Sequence, residues 1–410
     1  MSKRLGVGFI GSGFNTRFHI QGWRGVRDAD VLGVWSPNAA NAASAAKLAR
    51  DVGVGDARGF RSIADMVTDP AIDAIWLCGP NQARIDNVKE IVAAAKTRRT
   101  PLRGIACEKP LGRTVAEAKE IVRLVKGAGI PTGYLENQLF APHIEAGKNL
   151  IWARGAATTG RPYLARAAEE HSGPHAPWFW NGSLQGGGVL NDMMCHSALV
   201  VRHLLTKPGE PLAAVKPVRV TGHIASLKWT RPRYAKQLKS TMQADYARRP
   251  SEDFASLTIE FETPEGTVAI GEATTSWSFV GAGLRLSAEL LGPEYSMKWN
   301  SLDSGLQLFF SREVAGRAGE DLVEKQNAEQ GVMPVVPEEY LAYGYTNEDR
   351  HFVRAFLGEE PALLTFDDGL EVVKLLMAAY QSAEQGKTLA FPPKGLETFV
   401  PAVAKGTWKP

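Results

Sequence analysis

The chain has 410 residues, a formal net charge of +3, 44% hydrophobic residues and 22% charged residues. This length exceeds what one ordinary core holds, so we expect two domains. The small charge excludes an obvious nucleic-acid or membrane-surface partner, and no apolar run is long enough to cross a bilayer. Three scattered cysteines predict neither a disulfide framework nor a zinc site. They fit a reducing cytoplasm, as does an N-terminus without a signal-peptide core.

The first 135 residues alternate short apolar strands with helices. The predicted strands cover 5–10, 30–35, 74–78, 104–107 and 132–135. The predicted helices cover 41–51, 82–96 and 115–127. This alternation indicates a parallel, doubly wound α/β sheet, so residues 1–135 are predicted to form a dinucleotide-binding domain.

The remaining residues, 136–410, are richer in consecutive strands. The predicted strands cover 162–170, 218–227, 254–262, 267–276, 284–291 and 306–310. Short turns between successive strands imply an antiparallel sheet. Residues 313–340 are interpreted as a polar loop, whereas 347–357 and 367–384 are predicted helices. We therefore expect a second α/β domain with a large, open, mostly antiparallel sheet.

A glycine-rich loop, Gly11-x-Gly13, follows the first predicted strand. Two glycines let the backbone turn tightly and approach a pyrophosphate, which then lies at a helix N-terminus. Thr16 stands where the third small residue of this pattern usually lies. The alternative is a plain glycine turn without a ligand.

The second strand ends at Ser36, where a nucleotide-binding domain often has a residue that distinguishes the two nicotinamide cofactors. An acidic residue there binds the ribose hydroxyl of NAD, and an arginine suits NADP. Neither residue type is present. The lack of a nearby basic residue favours NAD, and NADP stays open.

The tripeptide Glu108-Lys109-Pro110 follows the fourth strand of the predicted domain. Ligands of open α/β sheets gather outside such strand ends. A lysine there can donate to a substrate hydroxyl and stabilise the alkoxide that forms as hydride leaves. A surface Lys-Pro turn is the alternative.

Asp192 and His196 follow the triple-glycine run at positions 186–188. If this segment is helical, a spacing of four places both side chains on one face, one turn apart. A carboxylate that holds an imidazole beside a substrate hydroxyl is a general base. A structural histidine in a core helix is the alternative.

Together these motifs resemble the Gfo/Idh/MocA oxidoreductase family, the glucose–fructose oxidoreductase and inositol dehydrogenase group. The resemblance covers essentially the whole chain, and it depends on the order of individually weak motifs. These are the N-terminal glycine loop, Gly79-Pro80-Asn81, Glu108-Lys109-Pro110, Trp180 with Gly186-Gly187-Gly188, Asp192 and His196, Glu252-Asp253, and Leu291-Gly292.

The resemblance implies an N-terminal Rossmann domain with a bound nicotinamide cofactor, a C-terminal α/β domain, and a homodimer or homotetramer. It also implies that C-terminal helices pack back on the Rossmann domain. It also implies that Lys109 polarises the substrate oxygen, that Asp192 orients the substrate and His196, and that His196 takes the hydroxyl proton. No metal is implied. The implied cofactor contacts are Gly11, Gly13, Phe14, Asn15, Ser36, Pro80, Asn81, Glu108, Lys109 and Asn137. Arg84 stands where the family commonly has a histidine.

The loop 169–180 is expected to face the substrate if the family fold holds. Aromatic rings pack against the apolar faces of sugars, and histidines bond hydroxyls, so Trp178, His171 and His175 favour a carbohydrate or polyol substrate. A loop anchored by core tryptophans is the alternative. A basic stretch over 228–249 is interpreted as a solvated loop or subunit contact, or alternatively as a receptor for an anionic sugar.

Three functions remain open at this point. The leading one is an NAD(P)-dependent sugar or polyol dehydrogenase. The second is a redox-neutral, NAD-dependent glycoside hydrolase, in which Tyr134, His171 and His175 supply further acid or base groups. The third is a non-catalytic dinucleotide sensor, which retention of Lys109, Asp192 and His196 argues against.

Overall fold

The computed structural model describes residues 4–310, 324 and 331–410. These fall into two compact units. The first unit comprises Met1–Ala141 and Tyr343–Val373, and the second comprises Pro142–Ala342 and Lys374–Pro410. The first unit is therefore discontinuous in sequence, with a late segment joined to the N-terminal one. The expected boundary at residue 135 lies close to the end of that N-terminal segment.

Six strands form the sheet of the first unit. They are Leu5–Ile10 (β1), Ala29–Trp35 (β2), Arg58–Gly59 (β3), Ala74–Leu77 (β4), Gly104–Glu108 (β5) and Thr132–Leu135 (β6). All pairings are parallel, in the order β3-β2-β1-β4-β5-β6. This is the order of a doubly wound nucleotide-binding fold, which confirms the predicted Rossmann domain. The strand order reverses between β1 and β4, so a ligand crevice is expected outside their carboxyl ends.

Helices connect these strands and cover both faces of the sheet. They are Phe14–Gly22 (α1), Ala39–Asp51 (α2), Ile63–Thr68 (α3), Arg84–Ala95 (α4) and Val115–Gly127 (α5). Every residue of β1, β4 and β5 is buried as a result. Strands covered on both faces are continuously apolar rather than alternating, which is why their short hydrophobic runs were recognisable in the sequence.

The sheet of the second unit has seven strands. In chain order they are Leu164–Glu170 (β7), Lys216–Ala225 (β8), Phe254–Glu262 (β9), Val268–Ser276 (β10), Arg285–Gly292 (β11) and Tyr295–Asn300 (β12), with a short late strand, Leu389–Ala390. Their spatial order is β12-β11-β7-β10-β9-β8 and then the late strand. Among the described pairings of this second sheet, only that of β7 with β10 is parallel. The prediction of a mostly antiparallel sheet is therefore confirmed.

A separate hairpin in this unit pairs Leu306–Phe310 (β13) with Gly331–Val335 (β14), and the late strand is β15. The loop interpretation of 313–340 is wrong for 331–335, which form β14, and for Glu339–Ala342, which are helical. Most of the remainder of that loop lies outside the described residues. β12 was also missed: it follows β11 after only two residues, and no strand was predicted between 291 and 306.

The helices of the second unit include one that is buried along its whole length. In chain order they are Pro142–Leu150 (α6), a π-helical turn at Ile151–Ala156, Ala157–Thr159 (α7), Gly182–Gln185 (α8), Val189–Leu205 (α9), Pro232–Met242 (α10) and Glu339–Ala342 (α11). All residues of α9 are buried, and it packs against β7 and β10. A helix that is buried on every side belongs to the core, so each polar side chain on α9 needs a specific partner.

Helix α10 lies within the basic stretch that the sequence analysis interpreted as a loop or subunit contact. Pro232 occupies the first turn, where proline is favoured because its missing N–H has no intrahelical acceptor. Ala235 and Leu238 are the buried residues of α10, spaced by three. The many exposed basic residues concealed this narrow apolar face, so the loop interpretation is wrong for 232–242.

Three more helices follow, namely Tyr345–Leu357 (α12), Phe366–Gln385 (α13) and Ala402–Lys405 (α14). Helix α12 belongs to the first unit, where Phe352 and Phe356 cover Gly133 and Gly104. A Cβ atom at either glycine would collide with the phenylalanine ring above it. Among the described helices, none combines the length and apolar character that a membrane span requires.

Candidate active site

The glycine loop after β1 has the geometry that a pyrophosphate site needs. Gly11 has a φ of +111°, and a Cβ atom there would lie 2.8 Å from the carbonyl oxygen of Cys78. Gly13 precedes α1 without a side-chain cap, and a Cβ atom there would meet nothing within 4 Å. The space beside Gly13 therefore lets a ligand approach the uncapped N-terminus of α1, an arrangement that suits an anion.

The ribose-side residues lie beside this loop. The hydroxyl of Ser12 donates to that of Ser36 at 2.9 Å, which places the end of β2 against the glycine loop. Phe14 is 39% exposed and stacks on Phe18, while Asn15 is half-buried. The guanidinium of Arg17, on α1, donates to the hydroxyl of Ser44 at 2.8 Å. An NADP phosphate would have to compete for that cation, which is consistent with NAD.

Arg84, the departure from the family pattern, has a structural explanation. Its guanidinium is buried, donates to the carbonyl of Pro110, and donates to that of Gly79 at 3.1 Å. It therefore links the turn after β4, which contains Pro80 and Asn81, to the turn after β5. Asn81 is buried and Pro80 is half-buried.

A buried histidine is held between two carboxylates behind the turn after β5. His19 Nδ1 lies 2.9 Å from Asp349 Oδ1, and its Nε2 lies 3.0 Å from Glu108 Oε1. The Trp76 indole N–H also donates to Asp349, at 3.0 Å. Burial acts to lower the pKa of His19, but Asp349 and Glu108 outweigh it and raise that pKa well above the usual value. Both ring nitrogens therefore act as donors, and His19 is an imidazolium.

This histidine orients the residue next to the predicted catalytic lysine. Glu108 Oε1 accepts from His19, while its Oε2 accepts from the backbone N–H of Lys109 at 3.1 Å. Lys109 itself is half-buried, and Glu108 is buried. Asp349, His19 and Glu108 thus form a chain of contacts that ends on the backbone of Lys109.

The same region contains a third acid, Glu348. Burial raises the pKa of Glu348 well above its ordinary value. Ligand atoms of His19, Glu348 and Asp349 lie within 4.8 Å of one another, close enough in principle for a metal ion. Both nitrogens of His19 are already bonded to carboxylates, however, so the imidazole has no lone pair left to offer.

In the second unit, Asp192 and His196 lie on α9 as the spacing predicts. Asp192 is 5% exposed and His196 3% exposed, and their separation of four residues places them on one face. His196 Nε2 lies 3.6 Å from a carboxylate oxygen of Glu169, at the end of β7. Glu169 belongs to the predicted substrate loop, 169–180, but it was not predicted as a partner of His196. The two side chains meet only because α9 packs on β7.

The triple-glycine run is explained by what packs against it. A Cβ atom at Gly187 would collide with the hydroxyl of Tyr380, and one at Gly188 would collide with Glu252. Glu252 Oε1 accepts from the backbone N–H of Gly188 at 2.9 Å and of Leu190 at 3.1 Å, and it also accepts from Tyr380 Oη. A buried carboxylate therefore caps α9 in place of a side-chain cap on the helix itself. Burial raises the pKa of Glu252 to about 7.

The predicted substrate loop is partly core and partly surface. Gly173 N–H donates to His171 Nδ1 at 2.9 Å, and His171 is buried, whereas His175 is exposed. Trp178 is half-buried and stacks on Phe179, with ring centroids 3.8 Å apart. Trp180 is 3% exposed and belongs to an aromatic cluster with Trp229, Tyr246 and Trp277. Trp180 therefore anchors the loop in the core, which is the alternative to a substrate contact that the sequence left open.

Two first-unit candidates also have structural partners. Tyr134 is fully buried, and its ring packs against Gly369. Asn137 is 6% exposed, and its side-chain amide donates to the carbonyl of Tyr343 at 2.7 Å. Tyr134 is thus part of a packed core, and the amide of Asn137 fixes the point where the late segment rejoins the first unit.

Comparison with known families accounts for both units. Residues 5–133 match the oxidoreductase family described by an NAD-binding Rossmann fold, and residues 155–297 match the Gfo/Idh/MocA C-terminal domain. The chain belongs to the Gfo/Idh/MocA oxidoreductase family. The resemblance inferred from the order of motifs is therefore confirmed, and the first domain is an NAD-binding Rossmann domain.

Individual relatives of this Gfo/Idh/MocA chain are distant. It is 26% identical to D-xylose dehydrogenase of Paenarthrobacter nicotinovorans over 228 residues, 52% of this chain and 50% of that one. It is 23% identical to D-apiose dehydrogenase of Paraburkholderia graminis, over 98% of this chain and 93% of that one. The chain thus spans half the length of the first relative and most of the second. The crystal structure of GenD2 from gentamicin A biosynthesis in complex with NAD has the same fold, with a TM-score of 0.75, 24% identity and coverage of 95% and 97%.

Proposed function

We propose that this Gfo/Idh/MocA chain is an NAD-dependent dehydrogenase that oxidises a ring or secondary hydroxyl of a sugar, sugar derivative or polyol. The observation that carries the proposal is the buried pair Asp192 and His196 on α9, with Glu169 beside the imidazole. A buried acid and base on a core helix need a functional reason, because apolar residues would fill the same space at lower cost. An NAD-binding domain in the same chain supplies that reason.

Each side chain has a distinct part in the proposed reaction. His196 takes the proton of the reacting hydroxyl, and the carboxylate of Glu169 stabilises the imidazolium that results. Asp192 orients the substrate from the same face of α9. Lys109 donates to the reacting oxygen and stabilises its negative charge. NAD, when bound, supplies the hydride acceptor.

The first unit provides the residues that would hold the cofactor. The open N-terminus of α1 suits the pyrophosphate, and Ser36 lies where the adenosine ribose is expected. Gly11, Gly13, Phe14, Asn15, Pro80, Asn81 and Glu108 complete the proposed contacts. Asn137 keeps its side-chain oxygen for this purpose, since its nitrogen is engaged by Tyr343.

The substrate class is inferred from the relatives and from the substrate loop. Two of the relatives are named as dehydrogenases of sugars, D-xylose and D-apiose. His175 offers a hydrogen-bonding group on the accessible part of the loop. Trp178, the aromatic candidate from the sequence, lines a separate cavity of the second unit and is not assigned to this substrate site. His171, which is buried and accepts at Nδ1 from the backbone N–H of Gly173, is the second proposed hydroxyl contact of this loop.

One experiment separates this function from redox-neutral glycoside hydrolysis and from a sensor role. The protein is incubated with NAD and a panel of free sugars, polyols and aryl glycosides, and NADH absorbance and aglycone release are followed together. Stoichiometric NADH with a free sugar or polyol supports the dehydrogenase. Aglycone release without net NADH replaces it with the hydrolase, and neither signal across the panel replaces it with a sensor.

We also infer a homodimer or homotetramer in a reducing, cytoplasmic setting. The three cysteines are free, which fits such a compartment, and the oligomer is what the family resemblance implies. Sedimentation velocity on the reduced protein tests the assembly, and a sedimentation coefficient of a monomer across a wide concentration range would refute it.

A further inference from the structure

A cavity of about 570 Å³ lies entirely within the second unit, away from the catalytic residues assigned above. Its walls come from α8 and the segment before it, from the chain that follows α10, and from α14. Asp192, His196 and Glu169 are absent from this lining. A volume of this size is typical of small-molecule sites.

The charges that line the cavity are unbalanced. Arg248, Arg249 and Lys405 line it, and the single carboxylate of the lining is Asp245. That carboxylate already has a partner, since Lys239 Nζ lies 2.6 Å from it and the hydrogen bond lowers the pKa of Asp245. Within the described part of the chain, these three cations make no side-chain hydrogen bond or close ion pair, although the charge of Arg248 also acts on Asp245 and helps to lower its pKa. The cavity therefore carries an excess of positive charge.

The backbone holds the two arginines in place. The N–H groups of Arg248 and Arg249 both donate to the carbonyl of Asp245, at 3.1 and 2.9 Å, which closes a tight turn. Arg249 also packs beside Gly406, where a Cβ atom would lie 3.6 Å from Arg249 Cδ and where φ is +71°. A Cβ atom at 406 would be in ordinary contact with this arginine, but the positive φ would strain any residue other than glycine. The guanidinium groups are thus carried by a short, bonded turn and not by a long free loop.

The cavity also has an aromatic surface. Trp178 and Trp180 line the same cavity, and the half-buried Trp178 is braced by Phe179. Aromatic faces pack against the apolar face of a sugar ring, whereas guanidinium groups bind carboxylates and phosphates in bidentate fashion. The two surfaces together fit one molecule that has both features.

We propose that this cavity binds a monosaccharide-sized ligand that carries a carboxylate or phosphate group, at a site separate from the catalytic residues. Arg248, Arg249 and Lys405 bind the anionic group, and Trp178 packs against the ring. Ser251 also lines the cavity and directly precedes Glu252, the residue that caps α9. The lining of the cavity is therefore one peptide bond, Ser251 to Glu252, from the carboxylate that caps α9, the helix that carries Asp192 and His196.

Isothermal titration calorimetry on the full chain tests the proposal, with D-glucuronate, D-glucose 6-phosphate and D-glucose as probes in 20 mM salt. The test variant is Arg248→Gln with Arg249→Gln. The matched control is Arg154→Gln with Lys216→Gln, which removes two positive charges from exposed residues outside the cavity. We expect at least one of the two anionic probes to bind, D-glucose to bind at least about 10-fold more weakly, and the test variant to lose about 10-fold or more in affinity. The control should retain the wild-type affinity, and 200 mM salt should weaken the binding.

Three results would overturn the proposal: no binding of either anion to the wild type, equal affinity in the test variant, or an equal loss in the control. Circular dichroism and thermal unfolding of both double variants establish that they are folded, and Lys405→Gln is a second, milder variant that should weaken binding by a smaller factor. The assay contains no NAD and requires no turnover. Its failure would leave the proposed dehydrogenase function intact, and failure of that function would leave this site testable.

Discussion

At the scale of single residues, the candidate site depends on buried groups whose charges are set by their neighbours. His19 is protonated because Asp349 and Glu108 hold it from both sides, and Glu108 in turn bonds the backbone of Lys109. His196 is buried next to Glu169. In both places a side chain that carries chemistry is supported by a second side chain that is distant in sequence. Substitution of a supporting residue such as His19 should therefore lower stability first, whereas substitution of Lys109 or His196 should lower activity first.

Removal of the proposed proton acceptor or of the proposed lysine should abolish most of the activity without unfolding the protein. We expect His196→Asn and Lys109→Met each to lower kcat/KM by about 100-fold or more, because each removes a group that acts on the reacting oxygen. The measurement is initial-rate NADH formation with the sugar that the panel identifies. His175→Asn is the matched control on the accessible loop, and it should change KM more than kcat. Rates close to wild type in either of the first two variants would refute their roles.

Substitution of His19 should act on stability first. His19→Gln removes the cation and leaves Asp349 and Glu108 buried without it, which is expected to cost about 3–5 kcal/mol of unfolding free energy. The pKa of His19 is raised in the folded state, so its stabilisation is fully present below the unfolded pKa and is lost as pH rises through the folded pKa. Denaturant unfolding at a series of pH values should show an alkaline loss of stability in the wild type that His19→Gln lacks. Parallel pH profiles for the two proteins would contradict this account.

At the scale of elements, α9 shows what sequence patterns can and cannot predict. The spacing of Asp192 and His196 correctly predicted a helix with both residues on one face. The start of that helix is held by Glu252, 64 positions from Gly188, and by Tyr380, 192 positions away. Such long-range contacts have no local signal. The glycine run was therefore visible in the sequence, while the reason for it was visible only in the folded chain.

The same contrast applies to the other elements. Buried parallel strands are continuous apolar runs, and most of those in the first unit were predicted close to their observed bounds. Helix α10 was missed because two buried residues, Ala235 and Leu238, give too weak a periodicity among basic neighbours. Arg84 was noted only as a departure from the family pattern and His19 was not singled out, since their partners lie in distant turns and in the late helix α12. Pairings of this kind depend on tertiary packing and leave no local pattern.

The cap of α9 should titrate near neutral pH. Because the pKa of Glu252 is raised to about 7 from an ordinary 4.5, the folded state holds a proton that the unfolded state has released over this range. Wild-type stability should therefore fall as pH rises from about 5 to 8, by on the order of 3 kcal/mol from this group. Glu252→Gln keeps an oxygen that can accept from Gly188 and Leu190 but does not titrate, so this part of the fall should disappear. Guanidinium unfolding at pH 5, 6.5 and 8 measures it, and an unchanged pH profile in the variant would show that Glu252 does not titrate here.

At the scale of the whole molecule, the first unit is made from two segments separated by the second unit. The late segment supplies Asp349 to His19, and it supplies Phe352 and Phe356 to the faces of Gly133 and Gly104. The nucleotide-binding unit is therefore incomplete without residues that the N-terminal segment does not contain. The need for the late segment is not apparent from the order of strands, because all six strands of the described sheet lie before residue 136.

A fragment that ends at residue 141 should not fold as a stable nucleotide-binding domain. It exposes the apolar surface that α12 covers, and it leaves His19 with one carboxylate in place of two. We expect no cooperative thermal transition by circular dichroism. A control in which 1–141 is joined to 343–373 by a flexible glycine-serine linker should regain one. A cooperative transition in the short fragment at the temperature of the linked control would refute the dependence.

The two-segment construction of the first unit also has a consequence for synthesis of the chain. Domains usually fold in the order in which they leave the ribosome, at about 5–20 residues per second. Here the N-terminal sheet is synthesised long before Asp349. His19 and the apolar faces of the sheet therefore lack their partners until the late segment, Tyr343–Val373, has been translated. During that interval the nascent sheet is a candidate client for chaperones. A mutation in the late segment can therefore lower the yield of the N-terminal domain without altering any residue within it.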